Sequence, residues 1–269
     1  MRAIHFISGL PRAGSTLLAA LLRQNPRFHA GISGPVSTFV TALLGQMSVS
    51  NEFALFLDET QKKAILKGVF ENYYAAETDK IVFDTSRQWC AKMPVLAALF
   101  PQAKVIACVR HNGWIIDSVE RLVRRNAFDQ SKIFDANAGG TVYDRAEGLS
   151  AGSGLLGFAY NALKQAYYGE HSANLMVLRY EALTSRPAAA MSAVYDFIGE
   201  QPFAHDFDNV TFDAKEFDAR LGTPGMHDVD HRVTPANRET ILPPDVFERY
   251  RNDSFWDDPK LNIRGVRVV

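Results

Sequence analysis

Cysteine is nearly missing from this sequence: Cys90 and Cys108 are the only two in 269 residues, and both sit in apolar surroundings. So few thiols exclude a disulfide scaffold, and their spacing makes no metal site, so buried thiols in a reducing compartment are expected. An excess of one charge is missing too. A formal net charge of −1 provides no overall basic field for nucleic acid or an anionic membrane. No apolar run approaches the roughly twenty residues of a membrane-spanning helix. Ile4 to Leu22 comes nearest to a leader, but Pro11, Arg12 and Gly14 interrupt it and no small-residue cleavage site follows. A cytoplasmic protein without a membrane span is the expectation. Repeats and low-complexity tracts are absent as well. With 47% apolar residues, the chain can fill the core of one large domain spanning residues 1–269.

Four short apolar runs are present: Ile4–Ser8, Ile81–Phe83, Val105–Val109 and Leu175–Leu178. They are continuous rather than alternating, as parallel strands covered on both faces should be. Helical patterns lie between and after them: Ser15–Gln24, Pro35–Gln46, Glu59–Tyr74, Met93–Phe100, Trp114–Arg125, Leu155–Tyr168 and Pro187–Ile198, with Pro187 suited to a first turn. This alternation predicts an α/β fold, a single P-loop-like domain with a central parallel sheet and helices on both faces. Two stretches break the pattern. Residues 126–154, rich in Gly, Asp, Ser and Asn, read as a long loop, and residues 205–256 as an irregular tail. Connections of that length are uncommon unless they cover a site, so both are expected over the substrate.

The strongest local signal is Gly9-Leu10-Pro11-Arg12-Ala13-Gly14-Ser15-Thr16, between the first strand and the first helix. A Gly-rich turn there aims backbone N–H groups and the positive helix end at one point, which makes an anion cradle. Gly9 and Gly14 have the spacing of a nucleotide-triphosphate P-loop. The lysine of that motif is missing: Ser15 stands in its place, and the cation appears earlier as Arg12. ATP chemistry needs the lysine and a magnesium site. Arg12 alone suits a 5′-phosphate whose terminal group carries less charge and needs no metal, such as a sulfonate.

A second anchor follows the third strand. Arg110 leaves its carboxyl end, where open α/β sheets bind ligands, and Ser118 lies eight residues on. Alone, either is an ordinary surface or capping residue; together with the first loop they make a second phosphate site. With Lys104–Ser118, with Arg179-Tyr180-Glu181-Ala182-Leu183 and with Phe197-Ile198-Gly199, the sequence resembles the sulfotransferases that use 3′-phosphoadenosine-5′-phosphosulfate (PAPS). The likeness runs from about Ile4 to Gly199. Through Gly9–Leu18, Asn25-Pro26, Gly31 and Leu99–Lys104 it is most similar to tyrosylprotein sulfotransferases and their bacterial relatives. The resemblance implies PAPS as co-substrate, 3′,5′-ADP as product, no metal, and an acceptor hydroxyl on a peptide tyrosine or a small molecule. It implies that Pro11, Arg12, Ala13, Gly14, Ser15 and Thr16 hold the 5′-phosphosulfate. Arg110 and Ser118 then hold the 3′-phosphate, helped by Arg121 or Arg124, and Tyr180 lies against the nucleotide.

Sulfuryl transfer needs an in-line acceptor oxygen, a base for its proton and cations for the departing phosphate. The glutamate that tyrosylprotein sulfotransferases carry after the first helix is absent, since Ile32-Ser33-Gly34-Pro35 stands there. Their lysine after the second predicted strand is absent too, in Asp84-Thr85-Ser86-Arg87. Asp84 is then a displaced base and Arg87 a displaced cation, or else Asp84 caps the next turn and pairs with Arg87. His227 is the other candidate base, and Arg12 the natural leaving-group cation. His29 and Lys92 are weaker candidates, and His111 reads as structural. For an acidic peptide acceptor, Arg124, Arg125, Lys132 and Arg145 are the available cations. The missing glutamate and lysine also leave open a nucleotide-binding protein without turnover, and a small-molecule kinase remains as the reading that would need the absent lysine.

Overall fold

The computed structural model describes residues 3–48, 51–128, 133, 140–235 and 237–269. Among them, six strands form one sheet: β1 (Ile4–Gly9), β2 (Phe28–Ala30), β3 (Ile81–Thr85), β4 (Val105–Val109), β5 (Leu175–Arg179) and β6 (Arg267–Val268). Their order is β2-β3-β1-β4-β5-β6, and every neighbouring pair is parallel. Side chains alternate between the faces of a strand. β1, β3 and β4 are buried at every position, so both faces of the sheet are covered. That is why their sequences are apolar without alternation.

The covering helices are α1 (Ser15–Leu22), α2 (Val36–Gln46), α3 (Glu59–Tyr73), α4 (Met93–Leu99), α5 (Asn112–Arg125) and α6 (Val142–Ser150). They continue with α7 (Leu155–Tyr168), α8 (Tyr180–Ser185), α9 (Pro187–Ile198), α10 (Lys215–Arg220) and α11 (Pro244–Glu248). α3 begins with a reciprocal cap: Asp58 accepts the Gln61 N–H at 2.7 Å while Gln61 accepts the Asp58 N–H at 2.9 Å. Such a cap stabilises a helix start by about 1 kcal/mol. The core between helices and sheet holds Phe6, Phe83, Trp89, Tyr167 and Tyr195, all essentially without solvent contact. Each ring of that size stabilises the fold by roughly 2–3 kcal/mol through removal from water.

All four expected strands are present, and β2 and β6 are additional. Three and two residues long, these have no periodic signal and exist through pairing, Phe28 opposite Ile81 and Arg267 opposite Met176. The long loop expected over residues 126–154 is corrected in part, because residues 142–150 form α6. Thr141 accepts the Asp144 N–H at 3.2 Å and Asp144 accepts the Thr141 N–H at 2.9 Å, a capping box written in the sequence as Thr-x-x-Asp. Residues 129–132 and 134–139 of that stretch lie outside the described residues. Buried Glu120 accepts from Arg145 at 2.8 Å and Arg124 at 3.0 Å, which ties α6 to α5. The tail over residues 205–256 is irregular apart from α10 and α11.

The chain runs from β1 out to β2, returns through β3, and crosses β1 to reach β4. The connection leaving β1 therefore goes to one side and that leaving its neighbour β4 goes to β5 on the other, which opens a crevice between their carboxyl ends.

Candidate active site

The crevice is a cleft of about 1040 Å³ with its open mouth included. Its floor is the turn from β1 into α1. Gly9 has φ of 98°, and a Cβ there would lie 2.2 Å from the Cys108 carbonyl oxygen. The loop thus passes directly over β4, held by Leu10 N–H donating to that carbonyl at 2.8 Å. Only glycine meets both demands. Gly14 caps α1 with φ of 94° and packs under the Tyr180 ring. Between them Arg12 takes φ of 55°, a left-handed conformation strained for a residue with a Cβ. The first intrahelical bond of α1 is Leu18 N–H to Gly14 O. The N–H groups before it are the unpaired donors of a helix start.

Pro11, Arg12, Gly14, Ser15 and Thr16 line the cleft, whereas Ala13 is buried beneath it. Arg110 enters from the end of β4, 7% exposed, with its guanidinium 4.1 Å from the Tyr180 ring centre and its Nε without a hydrogen-bond partner. Ser118 is buried in α5 and meets Arg12 rather than the cleft, accepting its Nε–H at 3.1 Å. The two phosphate anchors expected from the sequence therefore touch each other through Arg12.

Arg87 lines the cleft from the turn after β3, its backbone carbonyl accepting the Ser8 hydroxyl at 3.3 Å. That turn also holds the Gly31–Pro35 segment: Thr85 donates its hydroxyl to Gly31 O at 2.7 Å and accepts the Gly34 N–H at 3.2 Å. Ile32 and Ser33 thereby line the cleft where relatives were expected to carry an acid. Neither Arg12, Arg87 nor Arg110 forms an ion pair among the described residues. Burial, and then the charge of Arg110, pull the Arg12 pKa down to about 10. Burial lowers those of Arg87 and Arg110 as well. Three desolvated cations with no carboxylate in ion-pair contact are costly unless an anion joins them.

Asp84 is a correction. Its carboxylate has no solvent exposure and lies off the cleft, one oxygen accepting the Tyr74 hydroxyl at 2.6 Å and the other the Trp89 indole N–H at 2.7 Å. Burial raises its pKa to about 6 against the lowering effect of those bonds. Arg87 is not its partner. The sequence hid this because Tyr74 and Trp89 approach Asp84 only through packing of α3 and the turn after β3.

His227 does reach the cleft, carried there by the tail segment Met226–Thr234 that forms one wall. Its Nδ1 lies 2.5 Å from Asp218 Oδ1, and its backbone N–H donates to Asp218 Oδ2 at 2.8 Å. Other sequence candidates are engaged elsewhere. His29 pairs with Glu77 at 3.1 Å, and His111 caps α5 by accepting the Gly113 N–H. Lys92 does not line the cleft. Arg121 is held by Asp117 and Arg124 by Glu120, so neither joins Arg110. Arg124 and Arg145 are likewise committed to Glu120, and Lys132 lies outside the described residues.

Two residues were missed from sequence. Arg238 stands near enough to lower the pKa values of both Arg12 and Arg110, and pairs with buried Asp117 at 2.8 Å. Asp117 also accepts Ile241 N–H at 2.8 Å and so pins the tail to α5. Asp218 is the other. No periodicity marks either position, because both depend on how the tail returns to the sheet.

The model of the sulfotransferase family matches residues 5–205. The chain belongs to the sulfotransferase family. Among solved structures, this sulfotransferase is similar to the sulfotransferase domain from the curacin biosynthetic pathway. That match has 18% identity and a TM-score of 0.54, and covers 94% of this chain and 91% of that one. It is also similar to a sulfotransferase from Alicyclobacillus acidocaldarius, at 15% identity and a TM-score of 0.50, covering 77% of this chain and 85% of that one. At such identities the likeness concerns the fold. No curated protein sequence matches the chain. Among the described residues, no helix of this sulfotransferase is long and apolar enough to cross a membrane.

Proposed function

We propose that this sulfotransferase moves the sulfuryl group of PAPS onto an acceptor hydroxyl and releases 3′,5′-ADP. The observation that carries the reading is the sharing of one cleft by three arginines that form no ion pair among the described residues, Arg12, Arg87 and Arg110, beside one glycine-bounded backbone turn. The residues fit the group. The turn from Gly9 to Thr16 would hold the 5′-phosphosulfate with its N–H groups, the Ser15 and Thr16 hydroxyls and Arg12. Arg110 would hold the 3′-phosphate, with Tyr180 against the nucleotide and Ser118 fixing the Arg12 guanidinium. When bound, PAPS supplies an activated sulfuryl group on a phosphate leaving group.

Arg12 and Arg87 offer fixed positive charge where negative charge gathers as the phosphate departs. Both are already desolvated, so they do not reorganise at that moment. His227 serves as the base that takes the acceptor proton. Asp84 has no part in this, since its oxygens are occupied away from the cleft. In the wall formed by the tail, the cleft is lined by Asp228 and Asp230, while Arg232 beside them is paired with Asp208. An acidic tyrosine peptide suits that wall poorly, whereas a neutral or basic phenol, or a tyrosine with basic flanks, suits it well. The buried free thiols Cys90 and Cys108 favour a reducing, cytoplasmic setting.

Calorimetric titration tests the reading. 3′,5′-ADP should bind without magnesium, and Arg110→Ala should weaken it about 10- to 150-fold, the loss of one or two charge-assisted hydrogen bonds. A preference for ATP with magnesium would overturn the reading. Tight 3′,5′-ADP binding without PAPS turnover on any phenol, alcohol or tyrosine peptide would leave a nucleotide-binding protein instead.

A further inference from the structure

His227 is brought to the cleft by a particular turn. α10 ends at Arg220, the chain reverses through residues 221–226, and Thr223 N–H donates to the Asp218 carbonyl at 3.0 Å. Met226 N–H then donates to Thr223 O at 3.1 Å, and His227 comes back beside Asp218, nine residues behind it. The Phe217 ring meets the imidazole edge-on at 5.6 Å and closes one side. Asp218 is 1% exposed and uses both oxygens on His227, one for the backbone N–H and one for the ring nitrogen. No Lys or Arg pairs with it among the described residues. It is near enough to Arg12 to act on that guanidinium's charge.

Burying a carboxylate is expensive, and a turn of this kind needs only a neutral acceptor for one N–H. A hydroxyl or amide side chain at position 218 would satisfy the turn. A carboxylate adds an acceptor that fixes which imidazole nitrogen carries hydrogen. We propose that Asp218 is a positioning residue for sulfuryl transfer. By accepting Nδ1–H of His227 it leaves Nε2 bare as the nitrogen that meets the acceptor hydroxyl. The proposal rests on His227 as the base of the reading above. Asp218 from α10 is in contact with the imidazole, and Asp228 from the tail and Arg12 from the turn between β1 and α1 line the same cleft.

The tautomer can be read without any acceptor, from two-bond ¹H–¹⁵N spectra of the full-length protein labelled with ¹⁵N-histidine, with His227→Gln assigning the signal. The wild type should show the Nδ1–H form near neutral pH, and Asp218→Asn should lose it. In parallel, 3′,5′-ADP release from PAPS is followed with 4-nitrophenol, tyramine and a tyrosine peptide as acceptors. Asp218→Asn should lower kcat by about 10²- to 10⁴-fold, the usual range for a misplaced base. Its KM for PAPS and affinity for 3′,5′-ADP should stay within about twofold, which also shows that the variant is folded. Asp218→Glu should restore the Nδ1–H signal and part of kcat. A wild-type Nε2–H signal, or a spectrum unchanged in Asp218→Asn, overturns the proposal. So does normal turnover in Asp218→Asn when His227→Gln is inactive, a result that leaves the base reading standing. Normal turnover in His227→Gln removes the base reading itself, and the positioning role falls with it.

Discussion

Replacing Arg12 by glycine should make the empty protein more stable while it weakens the binding of 3′,5′-ADP. Four terms act on the fold. At φ of 55°, a residue with a Cβ costs roughly 1–2 kcal/mol that glycine does not. The fall of the Arg12 pKa from 12.5 to about 10 corresponds to roughly 3 kcal/mol against the charged form, of which about 1–2 remain after screening by water in the open cleft. Against these stand the hydrogen bond to Ser118, about 1 kcal/mol, and the freedom that glycine adds to the unfolded chain, about 0.4–1 kcal/mol. The balance is a gain of about 1 kcal/mol, or about 2–4 °C in Tm for a domain of this size. Binding moves the other way, because charge-assisted bonds are lost and affinity for 3′,5′-ADP falls about 10- to 150-fold. Differential scanning calorimetry of the unliganded protein and titration with 3′,5′-ADP measure the two halves. A Tm lowered by several degrees together with unchanged affinity would refute both the strain and the anion-site argument.

Gly9→Ala should destabilise by about 3 kcal/mol or more, since its Cβ would strike the Cys108 carbonyl and its φ is left-handed; urea titration reads this, and a loss under about 1 kcal/mol would contradict it. Asp84 has a folded pKa of about 6 against 3.8 unfolded, so its neutral form stabilises the fold at low pH. That contribution, up to about 3 kcal/mol, is lost as pH rises between about 4 and 6. His5, pulled down to about 4 by burial and Lys104, acts in the opposite direction over pH 4 to 6.5, so wild type must be compared with Asp84→Asn. The difference between their urea stabilities should change across pH 4.5 to 7.5 and turnover should be retained; a flat difference, or loss of turnover in a folded variant, would put Asp84 back in the reaction.

The sequence by itself carried the sheet and the phosphate loop. Ile4–Ser8, Val105–Val109 and their companions are continuous apolar runs that only a doubly covered parallel strand accommodates, and all became strands. Gly9, Arg12 and Gly14 are spaced by a local backbone turn, so that turn was legible from adjacent residues. β2, β6, α10 and α11 are too short for any period to declare them, while α6 was announced by Thr141 and Asp144 in a stretch whose composition reads as loop. Which candidate bases and outer cations face the cleft depends on contacts far apart along the chain. Asp84 is withdrawn from the cleft by Tyr74 and Trp89, and Arg124 and Arg145 are taken up by Glu120. Arg238 reaches the neighbourhood of Arg110 because Asp117 holds the tail on α5, and Asp218 meets His227 because the chain reverses after α10. Local spacing fixes a turn or a strand, since its forces act between neighbours. Which charge stays free for a ligand depends on which partners the folded chain delivers to it, and that is decided only when the elements pack.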